Sequence, residues 1–128
     1  MSEEEDKDDA PDVTWEDQQQ ISSFSQLNTR LKNIEEKLEE LKQEKEALDD
    51  LSTELELADE DQPVLYKVGE TFLHIPHSRA LKRLEKDKSE IDDQMSTLSA
   101  SAGDYETKMK ALKVSLYAKF GKAINLDD

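Results

Sequence analysis

Residues 64–75, VLYKVGETFLHI, interrupt a chain otherwise written in a three-four rhythm of apolar residues, and their own period is closer to two. Gly69 and Glu70 at the centre suit a two-residue type II′ turn, whose first position needs a positive φ that glycine adopts without steric cost. Such a turn pairs Val68 with Thr71, Tyr66 with Leu73 and Val64 with Ile75, and sets all six on one face. Leu65, Lys67, Phe72 and His74 then share the opposite, more mixed face. Upstream, Asp59, Glu60, Asp61, Gln62 and Pro63 close the preceding helix, because a run of acids opposes the negative end of a helix dipole and proline cannot continue the coil. Downstream, Ser78 is the expected cap of a second helix. The hairpin occupies about residues 63–76.

Both flanks are helical. In the first helix, about residues 14–58, Thr14 is the expected N-cap, and Glu16 and Asp17 suit the positive end of the dipole. Phe24, Leu31 and Leu38 fill one seam position, and Leu27, Ile34, Leu41, Leu48 and Leu55 fill the other. This is a heptad repeat with charges outside it, the signature of a coiled coil. The second helix, about residues 78–120, carries Leu81, Leu84, Lys88, Ile91, Met95, Leu98, Ala102, Tyr105, Met109, Leu112 and Leu116 at the same alternation. Asp104–Lys108 and Glu106–Lys110 are spaced as i,i+4 ion pairs. Gly103, beside small residues, marks a weak point or a close approach.

Two helices of similar length on either side of a hairpin fold back as an antiparallel coiled coil, with both chain ends together and remote from the hairpin. The predicted fold class is therefore all-α dominated, a two-helix coiled coil with one central β-hairpin. A lone hairpin is marginal in water and exposes two strand edges, with only the helix ends available to cover its apolar face. Pairing with hairpins of other chains into a closed sheet or barrel resolves both problems. The domain is expected over residues 13–126, with a solvated, disordered acidic tail at 1–12 and a short tail at 127–128.

Composition limits the function. Charged residues outnumber apolar ones, and the formal net charge of -15 repels phosphate backbones and anionic membranes, so neither nucleic acid nor membrane is an expected partner. No cysteine is present, which removes disulfides, thiolate metal sites and thiol nucleophiles. The acidic N-terminus lacks a secretory apolar core, so the expected location is cytoplasmic, with a soluble nuclear pool left open.

No chemistry stands out. His74 and His77 lack the further ligands that zinc needs, and surface or packing roles are favoured. Carboxylate pairs abound, but a two-helix coil offers no desolvated pocket to separate their pKa values. No phosphate-cradling loop or nucleophile triad appears. An enzyme is not expected, and neither is a cofactor or a metal. Lys45 and Lys88 occupy seam positions; snorkelling out of a local gap is favoured over register specification, since two facing cations would repel. Near the chain ends, Trp15, Ile21, Tyr117, Phe120 and Ile124 do not all fit one two-helix seam. They are the candidate contacts for apolar segments of other proteins, against the alternative of a small core that caps the coil.

Helix, hairpin and helix of equal length, with ELELADEDQPVLYKVGETFLHIP at residues 54–76 and the end motifs VTWEDQQQI and LYAKFGKAINL, resemble the β class of the prefoldin family. The resemblance covers roughly residues 13–126. It implies a heterohexamer of two α-class and four β-class subunits whose hairpins form a double β-barrel with projecting coiled coils. It also implies ATP-independent capture of unfolded actin and tubulin at the coil tips and delivery to the cytosolic chaperonin. The rival reading is a coiled-coil tether or scaffold of a vesicle or cytoskeletal assembly, which would share the heptads without needing the hairpin.

Overall fold

The computed structural model describes residues 12–126. Residues 1–11 of the tail expected at 1–12, and the tail at 127–128, lie outside the described residues. Helix α1 spans Trp15–Leu57, strands β1 and β2 span Val64–Val68 and Thr71–Ile75, and helix α2 spans His77–Phe120, followed by a 3₁₀ turn at Gly121–Ala123. The chain divides into two units, Glu36–Ser99 and Met1–Glu35 with Ala100–Asp128.

In the Glu36–Ser99 unit the strands pair antiparallel in the register Val64↔Ile75, Tyr66↔Leu73 and Val68↔Thr71. Gly69 has φ 63°, and no non-glycine residue among those described has a positive φ. Positive φ at the first turn position alone is the mark of a type II′ turn. Helix α1 unwinds through an Ala58 N–H bond to the Leu55 carbonyl, and Asp59 then folds the chain by accepting from the Asp61 N–H at 2.9 Å. Helix α2 starts one residue earlier than its expected cap at Ser78. The Pro76 carbonyl accepts the first helical bond, from Ala80 N–H at 3.0 Å, so Pro76 holds the cap position and Ser78 lies inside the first turn.

Leu55, Tyr66, Ala80 and Leu84 form the core of this unit, with Leu48, Leu51, Val64, Val68, Ile75 and Leu81 packed against them. The helix ends thus cover most of the hairpin face that carries Tyr66. Away from the hairpin the seam narrows. Leu41 and Ile91 are buried, whereas Leu38, Leu48 and Leu98 are half-buried, as expected where two helices alone leave the flanks of each seam residue open.

The seam lysines correct the sequence reading. Lys45 Nζ lies 2.6 Å from Asp92 and Lys88 Nζ lies 2.9 Å from Asp49, each reaching across to the facing helix. They do not snorkel away from each other; each is neutralised by an acid one turn beyond the other lysine. The Asp92 carboxylate, by hydrogen bond and then by charge, raises the Lys45 pKa. Two other expected pairs, Asp104–Lys108 and Glu106–Lys110, do not come within ion-pair distance.

In the other unit Thr14 and Asp17 form a reciprocal cap. Asp17 N–H donates to Thr14 Oγ1 at 3.1 Å, and Thr14 N–H donates to Asp17 Oδ2 at 3.0 Å. Asp17 is itself buried and takes Lys119 of α2 as an ion-pair partner. Among the described residues of this unit, Phe24, Leu27 and Leu116 are the buried apolar ones, with Leu31, Ile34 and Leu112 half-buried. Helix α2 ends at Gly121, whose φ of 55° is the left-handed closure common at helix C-termini. A Cβ added at Gly103 would meet nothing, so no close approach explains that glycine.

Candidate functional site

The hairpin presents two unlike faces. On the covered face, Tyr66 is 2% exposed, and its hydroxyl donates to Asp87 Oδ2 at 2.9 Å. Arg83 Nε lies 3.2 Å from the other oxygen of the same carboxylate. Burial, and then the bond to Asp87, pushes the Tyr66 hydroxyl well above its usual pKa. Buried His77 donates from Nε2 to the Leu55 carbonyl at 2.7 Å, satisfying an acceptor in the last turn of α1 from the first turn of α2. That is a packing role, and among the described residues no cluster of three metal-ligating side chains forms around it or elsewhere.

The opposite face is open. Leu65 and Phe72 are more than half exposed, as is Leu57 in the last turn of α1. Of the six residues that sequence reasoning assigned to assembly, Val64, Tyr66, Val68 and Ile75 pack against the helices, while Thr71 and Leu73 remain exposed. The sheet has two strands, so each strand has one unpaired edge among the described residues. Sequence reasoning passed over Leu65 and Phe72 because Lys67 and His74 made their face look mixed. The usable signal was that the helix ends could cover only one face.

In the unit that holds the helix ends, Trp15 is 70% exposed beside exposed Val13. Ile21, Tyr117, Phe120 and Ile124 are half-buried. Tyr117 has a structural duty, since its hydroxyl accepts the Leu126 N–H at 3.0 Å and draws the C-terminal residues against α2. Lys119 Nζ stands 5.4 Å from the Phe120 ring centroid, within cation–π range. Its bond to Asp17, followed by the cap to Thr14, holds the Asp17 carboxyl below the usual carboxylate range. The structure therefore splits the five candidate contacts into one exposed aromatic and four half-buried side chains. It adds an apolar residue that sequence reasoning missed, Val114, 72% exposed on α2. Val114 falls off the seam ladder with Ala111 and Ala118, one turn to either side, and that spacing was its signal.

Among the described residues no helix is long and apolar enough to cross a membrane. Among the described residues, the large apolar side chains left exposed are those on the hairpin and at the end of α1 beside it, Val13 and Trp15 at the start of α1, and Val114 on α2.

Known proteins resemble the whole of this design. The family model described as prefoldin subunit matches residues 18–123. Prefoldin subunit 4 of Saccharomyces cerevisiae is 47% identical over 115 residues, covering 90% of this chain and 89% of that protein. Prefoldin subunit 4 of Homo sapiens is 32% identical over 116 residues, covering 90% and 87%. The crystal structure of the prefoldin beta subunit from Thermococcus strain KS-1 superposes with a TM-score of 0.74 at 14% identity, covering 86% of this chain and 96% of that one, a likeness of fold.

Proposed function

The chain belongs to the prefoldin family, and from that premise we propose that it is a β-class subunit of a hexameric, ATP-independent chaperone that captures unfolded proteins such as actin and tubulin and passes them to the cytosolic chaperonin. The family's members are chaperone-type subunits and not enzymes. The proposed setting is the cytoplasm, with two α-class and four β-class subunits in each assembly.

The observation that carries this reading is where apolar side chains stay exposed in so charged a chain. Leu65, Phe72 and Leu73 lie on the hairpin, and Trp15, Val13 and Val114 lie in the unit of the helix ends. Assembly through the hairpin would cover the first group and join the free strand edges to neighbouring hairpins. The second group would remain available to unfolded chains, whose apolar segments it can meet without reading a sequence. A coiled-coil tether would use the seam and would have no need of the hairpin's exposed face.

Reconstitution with partner subunits separates the two roles. Leu65→Asp with Phe72→Asp should abolish the hexamer in native mass measurement while leaving the isolated chain's helical signal intact, because those side chains are outside its own core. Trp15→Ser should leave the hexamer intact and reduce suppression of aggregation of a denatured client. A normal hexamer from the Asp variant would overturn the assembly role. Undiminished holding by the Trp15→Ser variant, in complexes where this subunit crosslinks to the client, would overturn the binding role.

A further inference from the structure

Charge is unevenly placed along this acidic chain. Residues 107–126 contain five lysines and no aspartate or glutamate. Residues 1–11 contain six carboxylates against one lysine. Residues 107–126 and the start of α1 at Trp15 belong to the same unit.

On α2 the lysines frame a face of small apolar groups. Ala111, Val114 and Ala118 are exposed and follow one another at three- and four-residue steps, so they share the helix side turned away from the buried Leu116. Lys108 and Lys110 flank this strip at one end, and Lys122 lies at the other. Lys119 is taken by Asp17. Lys108, Lys110 and Lys122 have no ion-pair partner among the described residues, and Asp104 and Glu106, spaced to neutralise two of them, do not reach them. The result is an exposed basic face with an apolar centre on a molecule of net charge -15.

We propose that this face of α2 is the docking surface of the chain's own acidic segment, residues 1–11. Position, reach and charge all favour the segment over other occupants. The Asp17–Lys119 ion pair sets the start of α1 beside the end of α2, so the segment leaves the described chain next to the lysines. Eleven residues span up to about 36–40 Å when extended. The distance from Lys119 back to Lys108 is about 16 Å at a helical rise of 1.5 Å per residue. The attachment is covalent, which gives the segment an effective concentration on the order of millimolar and a standing advantage over any free acidic peptide. Consecutive carboxylates over exposed lysines make a weak, salt-sensitive contact and not a folded one.

The test uses full-length protein, alone and in the assembled complex. The wild type is compared with a variant carrying Glu3→Gln, Glu4→Gln, Glu5→Gln, Asp6→Asn, Asp8→Asn and Asp9→Asn. Each is treated briefly with an amine-acylating ester, and mass spectrometry reads the rates at Lys108, Lys110 and Lys122 against Lys42 in the other unit as internal standard. Docked carboxylates hold the amines protonated and shielded, so the three lysines should react about threefold more slowly in the wild type at low salt. Near 0.5 M salt, where the screening length is only about 4 Å, the difference should vanish. Equal rates in the two proteins at low salt would overturn the proposal. So would protection that persists in the neutralised variant and appears only on assembly, which would give the face to an acidic segment of a partner subunit.

Discussion

Replacing Tyr66 by phenylalanine deletes one oxygen from a core side chain and leaves its packing in place. In the wild type that oxygen donates to Asp87, a carboxylate that also faces Arg83. Hydrogen bonds to charged groups contribute about 1.5–3 kcal/mol, and the Asp87 side chain is still 24% exposed, so the lower end applies: Tyr66→Phe should cost about 1.5 kcal/mol at neutral pH. The pH dependence is the sharper readout. The folded Tyr66 pKa is raised, so its contribution is complete below the unfolded value near 10 and is lost as pH rises from there towards the folded value. The loss is up to about 1.4 kcal/mol per pH unit. The gap between wild type and Tyr66→Phe should therefore be constant from pH 7 to 9.5 and close near pH 11. Lys45, whose pKa is also raised, weakens both proteins alike at alkaline pH, and the difference removes it. Urea unfolding followed by helical circular dichroism at each pH supplies both numbers. A gap that is absent at pH 7, or that stays open through pH 11, would refute the buried donor.

Leu41→Ala should cost about 2–4 kcal/mol because the side chain is fully buried, and Leu48→Ala about half as much because it is half-buried; parallel melts would rank them. Lys88→Ala and Asp49→Ala should couple by about 0.2–1 kcal/mol in a double-mutant cycle, and the coupling should shrink as salt is added. Asp17 has a lowered folded pKa, so its contribution is complete above about pH 4 and is lost as pH falls through the folded value. Asp17→Asn should be less stable than wild type at pH 7, and the two acid-unfolding curves should converge as pH falls through that folded value.

The hairpin's existence and register were legible because a two-residue turn admits one pairing, and Gly69 with Glu70 named the turn. The ladder from Leu27 to Leu55 was legible because a period of seven carries its own phase. Neither the covered face nor the lysine pairing could be read in the same way, since each depends on which residues the facing helix brings alongside. Yet the pairing left a trace: KEALDD at residues 45–50 and KSEIDD at 88–93 are one pattern, a lysine followed four residues on by aspartate. On antiparallel helices two copies of that pattern at the same level must place each lysine against the other's aspartate. The open surfaces were the least legible. Val114 and Phe72 look like ordinary apolar residues until the neighbouring elements are in place and leave them uncovered.

Asp17 joins two helix termini that would otherwise be independent. Its carboxylate completes the cap on the Thr14 amide and at the same time holds Lys119 in the last turn of α2. Terminal turns ordinarily fray one at a time, and their amides exchange with solvent at the rate of that local opening. With one carboxylate serving both, releasing either terminus strips a partner from the other, so the two should open together. Amide exchange should then report similar protection in the first turn of α1 and the last turn of α2, and lose it in both at once when that single side chain is changed.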